Sequence, residues 1–133
     1  MKNLKIGVIG LGAIGRDHVR RLSKKITGCK VVAVSEIKEE LGKAIAGQYD
    51  AKFYADGEDL INSTEVEAVV VTTWDTAHAQ YVMASLREGK PVFCEKPLAT
   101  EVHECEEIVA AEQAFGKRII QVGFMRRFDP GYV

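Results

Sequence analysis

Leu4-Lys5-Ile6-Gly7-Val8-Ile9-Gly10-Leu11-Gly12-Ala13-Ile14-Gly15 decides how the rest of the chain reads. A β-rich run over 4–9 meets a glycine turn. A helical pattern follows over 13–26, with Ile14, His18, Val19 and Leu22 on one stripe and Arg16, Asp17, Arg20, Lys24 and Lys25 largely on the other. Gly10, Gly12 and Gly15 fit G-x-G-x-x-G, a pattern that gains meaning only between a strand and a helix, where it stands here. Gly10 permits the tight turn, Gly12 lets backbone approach a pyrophosphate, and Gly15 lets the helix pack closely on the strand. The helix start, with Ala13 and Ile14, offers unpaired N–H groups and partial positive charge to an anion. The second mark of such a site is an acidic residue about 20 positions on, at the end of the next strand. Glu36 stands there. Its carboxylate is suited to accept hydrogen bonds from both hydroxyls of an adenosine ribose, and its charge would repel a 2′-phosphate. The expected cofactor is therefore NAD rather than NADP, with Lys38 softening the preference. A glycine turn without ligand, a solvated Glu36, or a methyltransferase using the same two features are the competing readings.

Working outward, the element types alternate. Strands are predicted over 29–35, 52–54, 68–72, 91–95 and 118–123, and helices over 38–48, near 58–62, and over 76–87 and 100–115. Gly42 and Gly47 weaken the second helix, and Thr100 is the expected N-cap of the last. Continuous apolar runs such as Val31-Val32-Ala33-Val34 imply strands covered on both faces. The fold class is α/β: a doubly wound, mostly parallel six-stranded sheet (Rossmann) in the order 3-2-1-4-5-6.

Composition bounds the remaining possibilities. The chain has 133 residues, 47% apolar and 28% charged, which is globular rather than disordered. A net charge of -1 argues against a nucleic-acid surface. No apolar run is long enough to span a bilayer, and the start lacks a signal-peptide pattern. Cys29, Cys94 and Cys105 form no C-x-x-C pair, which suits free thiols in a reducing cytoplasm.

The fifth strand ends in Val92-Phe93-Cys94-Glu95-Lys96-Pro97-Leu98-Ala99-Thr100. Ligands of doubly wound sheets lie beyond the carboxyl ends of the strands, where Glu95 and Lys96 fall. Lys96 could stabilise a developing alkoxide or join a proton relay, or it could simply pair with Glu95. The Lys96-Pro97 bond is a candidate cis peptide. Cys94 is expected to face the core, and His18 and His103 to be structural. No metal site is expected from His78, His103 and Cys105.

These features resemble the N-terminal half of the Gfo/Idh/MocA oxidoreductases, through residues 10–15, Glu36, Thr72-Thr73-Trp74-Asp75-Thr76-Ala77-His78 and Glu95-Lys96-Pro97. Gln121-Val122-Gly123-Phe124-Met125-Arg126-Arg127-Phe128-Asp129-Pro130-Gly131-Tyr132 is similar to the inositol 2-dehydrogenase branch of that family. The resemblance implies a catalytic role for Lys96 beside the nicotinamide and the substrate. It implies that Thr72, Thr73, Trp74, His78 and Glu95 lie near the cofactor, and that Arg127 is a second substrate candidate. Glu36 stands where the family more often has an aspartate, and Thr73-Trp74 replaces a commoner Pro-Asn step. Residues 1–123 would form an NAD-binding domain and 124–133 the start of a crossover. An α+β domain that supplies an Asp and a His would be absent, which would leave this length of chain inactive alone. The implied function is dehydrogenation of a polyol or sugar hydroxyl, with hydride passing to nicotinamide. The alternative is the NAD-binding domain of a sensor, adaptor or NAD-using glycosidase. The expected partners are a small-molecule polyol and, for the longer protein, further copies of itself, with no nucleic acid and no membrane.

Overall fold

The computed structural model describes residues 2–124. In chain order the elements are β1 (Leu4–Ile9), α1 (Ala13–Lys24), β2 (Cys29–Ser35), α2 (Glu39–Gln48), β3 (Lys52–Tyr54), α3 (Gly57–Asn62), β4 (Ala68–Val71), a 3₁₀ turn (Asp75–Ala77), α4 (His78–Arg87), β5 (Val92–Glu95), α5 (Val102–Phe115) and β6 (Ile120–Gly123). The six strands form one sheet in the order β3-β2-β1-β4-β5-β6, parallel throughout. The chain winds outward from β1 to β3, then returns to lay β4 on the other side of β1. The strand order therefore reverses between β1 and β4, which opens a crevice at their carboxyl ends.

Alternation along the strands divides the core between the two faces. Ile6, Val8, Val31, Val34 and Val70 pack with Val19 of α1 and Ala46 of α2. Ile9, Ala33, Val69, Val71 and Val92 pack with Leu60 of α3, Val82 of α4 and Ile108 of α5. Both faces are apolar, so the strands carry the continuous runs seen in the sequence.

Several boundaries differ from the sequence reading for local reasons. The last helix is capped by Glu101 rather than Thr100, because the Glu104 carboxylate three residues on receives the Glu101 N–H at 3.3 Å. The segment expected as one helix over 76–87 begins instead as the 3₁₀ turn, and α4 starts at His78. Pro91 stays outside β5: it has no N–H to donate, but its carbonyl accepts from Val69 N at 2.9 Å. The strand expected over 118–123 starts at Ile120, with the Ile119 and Ile120 N–H groups held by the Glu112 carboxylate at 3.0 and 2.9 Å. Gly42, expected to weaken α2, stands inside a helix that continues through it. A Cβ there would lie 2.7 Å from Cδ1 of Phe53, so the missing side chain lets α2 sit against β3. Among the described residues, no helix is long and apolar enough to cross a membrane.

Candidate dinucleotide site

Gly10 follows β1 with φ +94°. Its N–H bonds Ser35 O at 2.8 Å, and a Cβ would lie 2.7 Å from the backbone of Thr72 and Thr73. The turn is thus wedged into the crevice between the ends of β1 and β4, where only glycine fits both the dihedral and the space. The Thr72 hydroxyl donates toward Gly10 O at 2.7 Å and lies 3.1 Å from Ile9 O. A Cβ on Gly15 would overlap the Gly10 carbonyl and lie 2.8 Å from Thr72 Oγ1. Gly12 is different: it is the N-cap of α1, and nothing lies within 4 Å of where its Cβ would be. No side chain caps α1 and no acidic residue occupies its first turn, so the leading N–H groups stay available to an anion. An open front at Gly12 above uncapped amides fits a pyrophosphate.

Glu36 sits half-buried one residue past β2. Its Oε1 accepts from Leu11 N at 2.9 Å and its Oε2 from Lys38 N at 2.7 Å. The carboxylate is therefore fixed against the glycine loop, and each oxygen retains a lone pair for a further donor. Three large apolar side chains lie exposed around the same edge: Ile14 at the start of α1, Ile37 after β2 and Trp74 after β4, the last two 95% and 85% exposed. Ile37 was not singled out from sequence, although an isolated apolar residue in Ser35-Glu36-Ile37-Lys38 was the available signal.

At the end of β5 the chain presents Lys96 to solvent. The Lys96-Pro97 bond is cis, as the sequence suggested. Glu95 does not pair with Lys96. Its Oε1 meets His18 Nε2 of α1 at 2.8 Å, and among the described residues no carboxylate pairs with the Lys96 ammonium. His78, expected beside the cofactor, is 2% exposed. Its Nδ1 lies 2.6 Å from Pro97 O and its Nε2 3.0 Å from Thr73 O. A neutral ring donates to one of these carbonyls and a doubly protonated ring to both. In either form the imidazole joins the loop after β4 to the turn after β5, from beneath the ligand edge. Thr73 itself turns its hydroxyl to Trp74 O at 3.1 Å. Cys94 is fully buried, and desolvation, helped by the neighbouring Glu95 charge, pushes its thiol up to about 12, so it is no nucleophile at neutral pH. Arg127 and the rest of 125–133 lie outside the described residues.

An apolar groove of about 500 Å³ runs between α1 and the first residues of β1, β4 and β5, lined by Leu4, Leu22, Ile26, Val69 and Phe93. It lies toward the opposite ends of the strands from the glycine loop and offers no anion-binding backbone. The crevice at the carboxyl edge is therefore the candidate dinucleotide site.

Residues 4–124 match the Gfo/Idh/MocA family, described as oxidoreductases with an NAD-binding Rossmann fold. The chain is 54% identical over 132 residues to an inositol 2-dehydrogenase of Pseudomonas fluorescens, covering 98% of this chain and 39% of that protein. It is 52% identical over 129 residues to inositol 2-dehydrogenase 3 of Saccharopolyspora erythraea, covering 97% and 38%. Its fold superposes with a TM-score of 0.91, at 42% identity, on the crystal structure of myo-inositol dehydrogenase from Lactobacillus casei in complex with NAD(H) and myo-inositol, covering 97% of this chain and 39% of that one. The chain thus spans about two fifths of the length of these relatives. It belongs to the Gfo/Idh/MocA oxidoreductase family.

Proposed function

We propose that this family member is the cofactor-holding part of an NAD-dependent dehydrogenase that oxidises a ring hydroxyl of a polyol of the inositol type. The observation that supports it is convergence: the uncapped amides of α1, the Glu36 carboxylate and Lys96 all stand at the carboxyl edge of one parallel sheet. Residues 1–123 form the cofactor domain, and 124–133 lead toward a substrate domain.

Each residue then has a task. The backbone from Gly12 to Gly15 holds the pyrophosphate, with Gly12 giving the close approach. Glu36 accepts from both hydroxyls of the adenosine ribose while still bracing Leu11 N, and its charge disfavours NADP. Ile14, Ile37 and Trp74 offer apolar surface to the flat parts of the cofactor. Thr72 and His78 act from behind, Thr72 by fixing Gly10 and His78 by fixing the turn that carries Lys96. Bound NAD supplies the hydride acceptor. The Lys96 ammonium hydrogen-bonds the substrate oxygen and stabilises the negative charge that grows there as its proton leaves. A protonated lysine cannot take that proton, so a base is needed as well. The Asp and His of the second domain implied by the family resemblance fill that role, and Arg127 is the other substrate contact within this sequence.

The test uses the chain's single tryptophan, Trp74, at the ligand edge. Titration with NAD should quench its fluorescence saturably. The 133 residues should turn over myo-inositol negligibly. Absence of NAD binding would end the functional reading, and substantial turnover by this chain alone would end the division into two domains.

A further inference from the structure

α1 and β5 are not neighbours in the sheet order: β4 lies between β5 and the strand from which α1 departs. Yet the His18 imidazole, on the helix that starts at the glycine loop, reaches Glu95, the last residue of β5 and the one before Lys96. Because a carboxylate only accepts, the 2.8 Å contact fixes the proton on Nε2. Both side chains are largely withdrawn from water, at 27% and 19% exposure. The ring is also held edge-on to Phe93 of the same strand, with centroids 5.5 Å apart and planes at 64°.

The opposite side of this arrangement is shaped for it as well. A Cβ on Gly123 of β6 would lie 2.7 Å from Cζ of Phe93 and 3.3 Å from Oε2 of Glu95. The last position of β6 therefore leaves open the space that Phe93 and Glu95 fill. Glu95 is thus confined between α1 on one side and β6 on the other. Among the described residues, His18 makes the one side-chain hydrogen bond recorded between α1 and the strands β4, β5 and β6.

The geometry points to His18 as a positioning residue that, through Glu95, couples the phosphate-holding helix to the lysine at the end of β5. The contacts of its ring are to Glu95 and Phe93 of β5. The anion at the start of α1 and the group acted on by Lys96 must be held at a fixed separation, because a misplacement of about 1 Å can cost 10²-fold in rate. The adjacent backbone carries any shift of Glu95 directly to Lys96. This inference rests on the functional reading above.

The experiment compares the parent chain with His18→Ala and His18→Gln, the latter returning an amide donor near the Nε2 position. NAD affinity and the NAD-induced displacement of the Lys96 amide resonance are measured together, with thermal unfolding as a control. The expected result is an affinity within about threefold of parent for His18→Ala. Its Lys96 displacement should fall to less than half, and His18→Gln should recover most of it. An unchanged Lys96 response in His18→Ala overturns the inference. So does a parallel loss of affinity, response and stability, which would mark His18 as a general packing residue. If the parent itself binds no NAD, the functional reading fails separately. The ligand-free spectra then decide: a Lys96 amide moved by His18→Ala and restored by His18→Gln supports the coupling, and an unmoved one overturns it.

Discussion

If the crevice holds NAD as proposed, replacing Glu36 with Ala should leave a weak, unselective site. In the folded chain the carboxylate already accepts from Leu11 N and Lys38 N, and each oxygen retains a lone pair for a further donor. Two ribose hydroxyls bonded to an ionised acceptor are worth about 1.5 kcal/mol each after competition with water, so NAD should bind about 100-fold more weakly to the variant. A 2′-phosphate instead brings about -1.5 to -2 charges near the carboxylate. At roughly 5 Å, with an effective dielectric of about 40 at this half-buried position, the repulsion is about 2.5 to 3.3 kcal/mol. Adding the hydrogen bond that the phosphorylated 2′-hydroxyl no longer donates, about 1.5 kcal/mol, the parent should prefer NAD over NADP by about 10³-fold, and Glu36→Ala should reduce the preference below about tenfold. Losing the two backbone contacts should cost a further 1 to 2 kcal/mol, roughly, in stability, because water replaces them only in part. Calorimetric titration with both dinucleotides, alongside thermal unfolding, measures all three quantities. Equal affinity of the parent for NAD and NADP would refute the ribose role. So would equal weakening of both in the variant, which would reduce Glu36 to a brace for the glycine loop.

Three other outcomes follow from the same geometry. Gly15→Ala places a methyl into the Gly10 carbonyl and near Thr72 Oγ1, backbone and brace that cannot swing aside, so unfolding measurements should show a loss of about 3 kcal/mol. Lys96→Met, in a form of the protein with measurable turnover, should lower kcat far more than it weakens NAD binding; an equal fall in both would make Lys96 a binding residue. Cys94 has a folded pKa raised to about 12 from an ordinary value near 9. The folded state therefore holds its proton where the unfolded state has lost it. The resulting stability is fully present below pH 9 and declines as pH rises toward 12, by up to about 1.4 kcal/mol per pH unit from this group. Comparing the alkaline unfolding curve with that of Cys94→Ala checks the slope. Thiol labelling of the native chain near pH 8 should modify Cys29 and Cys105 but spare Cys94.

What was legible in the sequence was whatever the local backbone dictates. The strand-glycine-helix opening fixed the loop, apolar runs fixed the parallel sheet, and the position of Glu36 after the second strand fixed one end of the crevice. What was not legible were contacts between residues far apart in the chain. Periodicity states which face of a helix is polar, but not which carboxylate that face will meet. His18 shared a stripe with Val19 and Leu22, and nothing local placed Glu95, 77 positions away, against it. His78 was expected near the cofactor from the family resemblance alone, yet it is buried, with its ring nitrogens against two carbonyls that only the loops after β4 and β5 bring together. Gly42 looked like a defect in a helix because the ring that requires it belongs to the next strand. The hidden contacts at the site share a direction. Thr72 to Gly10 and His18 to Glu95 both tie the β1 side of the sheet to the β4–β5 side across the crevice where the strand order reverses. A doubly wound sheet divides at that line, where ligands of this architecture bind. On the proposed reading, side chains that look structural when read one at a time, Thr72 and His18, set the distance between the glycine loop and Lys96 at this line.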